Sequence, residues 1–273
     1  QADTSYMRGM QVGTRSLLKE ETLTFLQNFQ LPDYHLEKDG NGGYDLTFEG
    51  TWVDSMLWEI YGLKIVNSLY LYHYAKRQRI TPVEWNLLMA RKMTRLHDDL
   101  AIVKASGAPI SDFSTRRSPS TDIHRHDLSI IQEALGSQFA GTSNVMFARE
   151  MGSNNPSGTL AHERTMVTTA LYDDSQDIIN QMYEVDRQWQ KHFPELAILL
   201  PDTYGTSFYL KYAPEDIVRN HTGIRFDSKD PLIAVPEYVN WLVAHGQDPQ
   251  KKIAISSDGL TSQAIKEIYA KCK

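Results

Sequence analysis

Disulfides, basic surface and membrane-spanning runs are all missing from this chain, and each absence narrows what it can be. The 273 residues contain one cysteine, Cys272. A single thiol cannot close an internal disulfide, so disulfide-framed secreted scaffolds are excluded, and a reducing cytoplasmic location is the expectation. Lys and Arg number 28 against 34 Asp and Glu, for a net charge of −6. With no basic stripe, nucleic acid is not an expected partner. An anionic ligand would have to be held by a few placed cations, for which Arg116, Arg117, Arg164, Arg225 and Lys229 are the candidates. The most apolar stretch, residues 52–74, is interrupted by Asp54, Glu59 and Lys64 and reads as a buried helix rather than a membrane span. The opening residues show no signal-peptide pattern. There is no Gly-x-Ser-x-Gly, His-Glu-x-x-His or Gly-x-Gly-x-x-Gly, which removes serine hydrolase, zincin and Rossmann readings. The glycines at 40, 42 and 43 lack the Lys-Ser/Thr and following helix of a phosphate loop, so they read as a hairpin turn.

What is present is a recurring pattern: six times between residues 108 and 260 a short apolar run ends in a cluster of Gly, Ser/Thr, Asp, Arg or His. Strands are expected near 110–113, 138–141, 196–201, 222–226 and 251–256. Helices are expected near 121–135, 145–151, 162–190, 204–213, 232–246 and 261–271. Alternation of this kind predicts an α/β fold with a parallel sheet, and polar clusters at strand ends are what a β/α barrel needs to assemble a site from many loops. That region is taken as residues 105–273. Residues 1–104 read as an N-terminal α+β segment with linking helices: a helix over 16–29, a hairpin over 34–50 and two helices over 51–104. The second of these opens on Thr81-Pro82-Val83-Glu84, a capping box with Pro at the first helical position. The start at Gln1 and the end in Lys271-Cys272-Lys273 lead to the expectation that the sequence is an internal portion of a longer protein.

Several clusters carry chemistry. Asp202, Asp227 and Asp258 each follow an apolar strand. Singly, each could be a helix N-cap; together, they could hold Mg²⁺ or bond sugar hydroxyls. His162 opens a helix after Gly158-Thr159, between a structural role and that of a nucleophile toward phosphoryl groups. Phe113 with Arg116 could clamp a flat ring. Gly141-Thr142-Ser143-Asn144, just before a helix, offers N–H groups and hydroxyls to an anion. His124-Arg125-His126 places its imidazoles on different sides of a helix, and the run reads as a solvated face.

In order, the clusters read Asp-Phe-Ser-Thr-Arg-Arg (112–117), Gly-Thr-Ser-Asn (141–144), Gly-Thr-Leu-Ala-His-Glu (158–163), Asp-Thr-Tyr-Gly-Thr (202–206), Gly-Ile-Arg-Phe-Asp-Ser-Lys-Asp-Pro (223–231) and Ser-Asp-Gly-Leu (257–260). This ordered set closely resembles the nicotinate phosphoribosyltransferase family over about residues 45–273. The resemblance implies an irregular β/α barrel with an additional sandwich-like α+β domain, usually dimeric. It also implies transfer of the 5-phosphoribosyl group from phosphoribosyl pyrophosphate to nicotinate, in the salvage route to NAD. ATP hydrolysis would be coupled through a phosphohistidine, and Mg²⁺ would be required. On this reading His162 is the phosphorylated histidine, while Phe113 and Arg116 clamp the pyridine ring. Thr159, Arg225 and Ser143, the last with its neighbours Thr142 and Asn144, lie near the nicotinate carboxylate. Asp202 and Asp227 stabilise a cationic ribose and hold Mg²⁺ through water or pyrophosphate. Asp258 and Gly259 begin the phosphate-binding rim.

The resemblance is not complete. Ser114 and Lys229 stand where the family usually has Gly, and Thr261 where it usually has Asp. If position 229 needs a positive φ, lysine is strained there. The family's N-terminal aromatic segment and C-terminal Gly-rich phosphate loops have no counterpart in these residues. Two alternatives therefore stand beside the main reading: a nicotinamide-using relative, which Ser143 disfavours, and a catalytically impaired homologue acting as a binding or scaffold protein.

Overall fold

The structure, a computed structural model, describes residues 4–12 and 15–273. The chain forms two compact units, Gln1–Leu100 with Pro109–Ser157, and Ala101–Ala108 with Gly158–Lys273.

The first unit begins with a short antiparallel pair, β1 (Gln11–Val12) and β2 (Arg15–Ser16), followed by α1 (Glu20–Asn28). The helix expected from residue 16 thus starts at Glu20, because Ser16 is hydrogen-bonded in β2. The hairpin β3 (Tyr34–Lys38) and β4 (Tyr44–Phe48) turns where expected. Asp39 Oδ1 accepts the amides of Asn41 and Gly43 at 2.8 Å, and Gly40 and Gly42 supply positive φ, so the glycine cluster is a turn.

Next come α2 (Trp52–Ser55), α3 (Trp58–Arg77) and α4 (Pro82–Ser106), whose last turns from Ala101 belong to the second unit. The capping box forms: Glu84 N–H donates to Thr81 Oγ1 at 3.2 Å, and Thr81 N–H to Glu84 Oε2 at 2.8 Å. The expectation of a buried helix over 52–74 fails. In α3 only Gly62 is buried, while Tyr61, Ile65, Leu69, Tyr70 and Tyr72 are exposed. Apolar residues run all around this helix, and one side suffices for its packing, where Trp58 stacks on Phe48 at 4.4 Å. The unit closes with β5 (Ile110–Asp112), α5 (Thr121–Leu135), β6 (Phe139–Thr142) and α6 (Val145–Glu150), with β5 and β6 parallel.

In the second unit, α7 (His162–Thr169) and α8 (Ser175–His192) replace the single helix expected over 162–190. The break comes at Asp174, whose carboxylate caps α8 by accepting from the amides of Gln176 and Asp177. β7 (Ile198–Leu199) is shorter than expected, and Pro214 separates α9 (Thr206–Tyr212) from a further helix, α10 (Glu215–Asn220). Then follow β8 (Gly223–Phe226), α11 (Pro231–Ala244), β9 (Ile253–Ser256) and α12 (Ser262–Cys272). The sheet order is β7-β8-β9, all parallel, with Leu199, Ile224 and Ala254 in register. Leu199, Tyr209, Ile217, Ile224, Phe226 and Leu242 form the heart of its core. The fold is mixed α/β, and its parallel strands form two open ladders, β5–β6 and β7–β8–β9. No helix among the described residues is long and apolar enough to cross a membrane.

Gly223 permits the central strand to sit where it does. A Cβ there would lie 2.5 Å from the Ile253 carbonyl oxygen and 3.0 Å from Ile198 Cδ1, so the backbone of β9 would have to move. Gly223→Ala is expected to cost about 2 kcal/mol, an overpacking penalty, read as a lower urea midpoint at constant slope.

Candidate active site

The carboxyl ends of β7, β8 and β9 bring together His162, Asp202, Asp227, Arg225, Thr159 and Ser257, all in the second unit. Short strands ending in polar residues make this possible, since the chain must turn immediately into helices and leaves these side chains at one edge. His162 stands at the first position of α7, between two carboxylates. Its Nε2 is 2.8 Å from Asp202 Oδ1, and its Nδ1 is 4.0 Å from Asp227 Oδ2. The Asp202 side chain is 5% exposed, and its second oxygen accepts from Ser228 Oγ at 2.7 Å. Burial pushes the Asp202 carboxyl upward, but the bonds from His162 and Ser228 and the charge of His162 outweigh it and leave the pKa below the ordinary value. An ionised carboxylate only accepts, so Nε2 of His162 carries its proton toward Asp202.

Asp227 is held differently. Its Oδ1 lies 2.7 Å from Arg225 Nη2 and 2.5 Å from Ser257 Oγ. Burial again acts upward and these two bonds, with the Arg225 charge, bring its pKa below normal. Arg225 is clamped in turn: Nη1 donates to Thr159 Oγ1 at 3.0 Å and Nε to Ser257 Oγ at 3.0 Å. Oδ2 of Asp227 is beyond hydrogen-bond distance of the imidazole, so it is the oxygen with capacity for a cation or ribose hydroxyl. One ligand atom from each of His162, Asp202 and Asp227 lies within 4.8 Å of the others. The two carboxylates suit Mg²⁺, a hard cation; the imidazole does not. Asp258 and Gly259 follow β9; Asp258 is exposed with φ 75°, and a Cβ on Gly259 would meet open space.

The remaining candidates lie in the first unit. Phe113 is 41% exposed just after β5, and Arg116 is ion-paired with Glu59 of α3. Thr142 is buried, with its hydroxyl on Asp112 Oδ2 at 2.7 Å. The Ser143 amide donates to the Asp112 carbonyl at 2.9 Å. Asn144 caps α6 by accepting from the Phe147 amide at 3.1 Å. The cap was not foreseen for Asn144, although Asn before a helix carries that signal.

Two expectations change. His124 is not on a solvated face: it is 3% exposed, and its Nε2 lies 2.9 Å from Asp112 Oδ2, while Arg125 and His126 are exposed. Lys229 carries no positive-φ strain; among the described non-glycine residues only Arg79 and Asp258 have positive φ. Its ammonium instead joins Glu237 Oε2 at 2.5 Å and Ser207 Oγ at 2.7 Å. Ser228 and Ser257, which hold the two site carboxylates, were not singled out from the sequence. Their only signal was a hydroxyl beside a strand-end Asp.

Against known proteins, the sequence profile of the Nicotinate phosphoribosyltransferase (NAPRTase) family matches residues 108–273. The chain belongs to this family. Among solved structures, the nicotinate phosphoribosyltransferase from Porphyromonas gingivalis superposes with a TM-score of 0.81 at 25% identity. The alignment covers 93% of this chain and 63% of that one. The nicotinate phosphoribosyltransferase from Vibrio cholerae gives 0.79 at 26% identity, covering 93% of this chain and 60% of that one. This member of the nicotinate phosphoribosyltransferase family therefore spans about three fifths of the length of these relatives.

Proposed function

We propose that the chain carries the site for transferring the 5-phosphoribosyl group of phosphoribosyl pyrophosphate to nicotinate. The products are nicotinate mononucleotide and pyrophosphate, and ATP hydrolysis is coupled through phosphorylation of His162, in NAD salvage. The observation that supports this reading best is His162 held between Asp202 and Asp227. With the Nε2 proton directed at Asp202, the lone pair of Nδ1 is the one able to attack the γ-phosphorus of ATP. Attack forms the N–P bond and releases ADP, and water later removes the phosphoryl group as phosphate.

In the transfer itself the anomeric C–O bond breaks, its electron pair leaves with pyrophosphate, and the pyridine nitrogen supplies the pair for the new C–N bond. Asp202 and Asp227 oppose the positive charge that develops on the ribose. Mg²⁺, held by these carboxylates in part through water, would supply neutralisation of the departing pyrophosphate. Phe113 and Arg116 hold the ring. In the second unit Arg225 and Thr159 are assigned to the nicotinate carboxylate; in the first, Ser143 offers a neutral hydroxyl, suited to a carboxylate where an acid would repel. Thr142 and Asn144 fix the backbone beside Ser143, and Asp258 with Gly259 opens the phosphate rim. A cytoplasmic homodimer fits the same reading.

The test is nucleotide formation from labelled nicotinate and labelled nicotinamide, each with and without ATP. Product from nicotinate, stimulated by ATP, is expected. Product from nicotinamide alone would overturn the substrate assignment, and no product from the full-length protein would leave a binding homologue.

A further inference from the structure

We propose that Asp112 and His124 are positioning residues for the ring-binding loop 113–117, an inference that rests on the function proposed above for Phe113 and Arg116. Asp112 ends β5 and gathers four bonds inside the first unit. Oδ2 accepts from His124 Nε2 at 2.9 Å and from Thr142 Oγ1 at 2.7 Å. Oδ1 accepts from Ser114 Oγ at 2.5 Å and from the Ser114 amide at 3.0 Å. One nearly buried carboxylate thereby ties together β5, the loop, α5 and β6. Burial works to raise its pKa, yet the bonds from His124, Ser114 and Thr142 and the His124 charge leave it lowered, so it stays an acceptor. The His124 ring is fixed edge-on against Phe147, 4.9 Å between centroids.

The far side of the loop is fixed by α3. Asn67 Nδ2 donates to the Arg116 carbonyl at 2.9 Å, Ser68 Oγ to the Pro119 carbonyl at 2.9 Å, and Lys64 Nζ to the Ser118 carbonyl at 3.0 Å. The backbone on both sides of Arg116 is therefore held from two directions. Ser114, where the family usually has Gly, adds its hydroxyl to this network.

Ser114, His124 and Asp112 do not form a nucleophilic triad. Ser114 Oγ, at 3.1 Å, and Asp112 share the same ring nitrogen, Nε2. A relay requires the acid on the other nitrogen. The cluster is built to hold, not to attack. Buried, fully bonded networks of this kind over-determine the geometry they surround.

Three variants of the full-length protein test the proposal: His124→Ala, Asp112→Asn and His124→Gln, whose amide can still donate to Asp112. Two readouts are used, amide hydrogen exchange across the chain and equilibrium binding of nicotinate, with KM for phosphoribosyl pyrophosphate as a control. In His124→Ala and Asp112→Asn, exchange in residues 113–118 should quicken and nicotinate should bind roughly tenfold more weakly. KM for phosphoribosyl pyrophosphate should stay within about twofold. His124→Gln should restore both readouts. Unchanged exchange in the loop, or an increase spread evenly over the unit with nicotinate binding weakened and KM raised together, would overturn the proposal. If the parent protein binds no nicotinate, the proposed function fails, and the loop exchange still decides whether these residues position it.

Discussion

His162→Ala is expected to lose ATP stimulation of nucleotide formation completely, and with it at least about a hundredfold in kcat/KM at low substrate. No other group within the His162, Asp202 and Asp227 set is a phosphoryl-accepting nitrogen. The informative companion is Asp202→Asn. Its side chain keeps the volume and one oxygen but not the negative charge; with Ser228 Oγ donating to the amide oxygen as it does to Oδ2, the amide nitrogen faces the Nε2 proton donor-to-donor. Imidazole then flips or changes tautomer, so Nδ1 no longer presents its lone pair. Phosphorylation of His162 should fall in Asp202→Asn even though the histidine remains, followed by acid-labile incorporation of label from [γ-³²P]ATP. Full incorporation in Asp202→Asn would remove Asp202 from its role, and undiminished ATP coupling in His162→Ala would remove His162.

The second large effect concerns stability against pH. Asp186, 4% exposed in α8, accepts from Tyr209 Oη at 2.7 Å, and burial pushes its pKa up to about 7. Its folded value lies above its unfolded one, so the stability it contributes is full below about pH 4 and is lost as pH rises through 7. His221, also buried, donates from Nδ1 to the Ile217 carbonyl and accepts from Tyr238 Oη at 2.7 Å. Burial, with Lys252 nearby, lowers its pKa to about 4. Its folded value lies below its unfolded one, so here stability is full above about 6.5 and is lost as pH falls toward 4. Between roughly pH 4 and 6.5 the two slopes oppose each other and nearly cancel.

Asp186→Asn should expose the histidine alone, so that the protein loses about 3 kcal/mol on acidification across this window. At pH 8 the same variant should be more stable than the parent, by up to about 4 kcal/mol. Urea unfolding at pH 4.5, 6 and 8 separates these outcomes. A variant whose pH profile parallels the parent's would show that Asp186 is not a titrating core carboxyl.

Much of this molecule could be read before folding was known, and the reasons differ by element. Strand-end clusters such as 202–206 and 223–231 were legible because the residue types and their position after apolar runs encode the turn locally. The hairpin at Asp39 and the cap at Thr81 were legible for the same reason. His162, Asp202, Asp227, Arg225 and Thr159 share one side-chain network, but the carriers of that network, Ser228 and Ser257, are hydroxyls with no pattern of their own. His124 was misread because a polar triplet on a helix looks solvated, and only the tertiary partner Asp112 reveals which of the three turns inward. The break before α8 was hidden by continuous helical spacing over 162–190, which masked the preference of Asp174 for an N-cap over a helix interior. Exposure of α3 depends on what lies against it, which no periodicity states.

The bolts from α3 to the ring-binding loop also have a kinetic meaning. Asn67, Ser68 and Lys64 reach carbonyls 49, 51 and 54 positions further along the chain. Closing a loop of that length costs several kcal/mol of chain entropy, while each such bond returns only about 1 kcal/mol. No one of them can form ahead of the others. The loop and the helix are therefore expected to order together, in a single cooperative event.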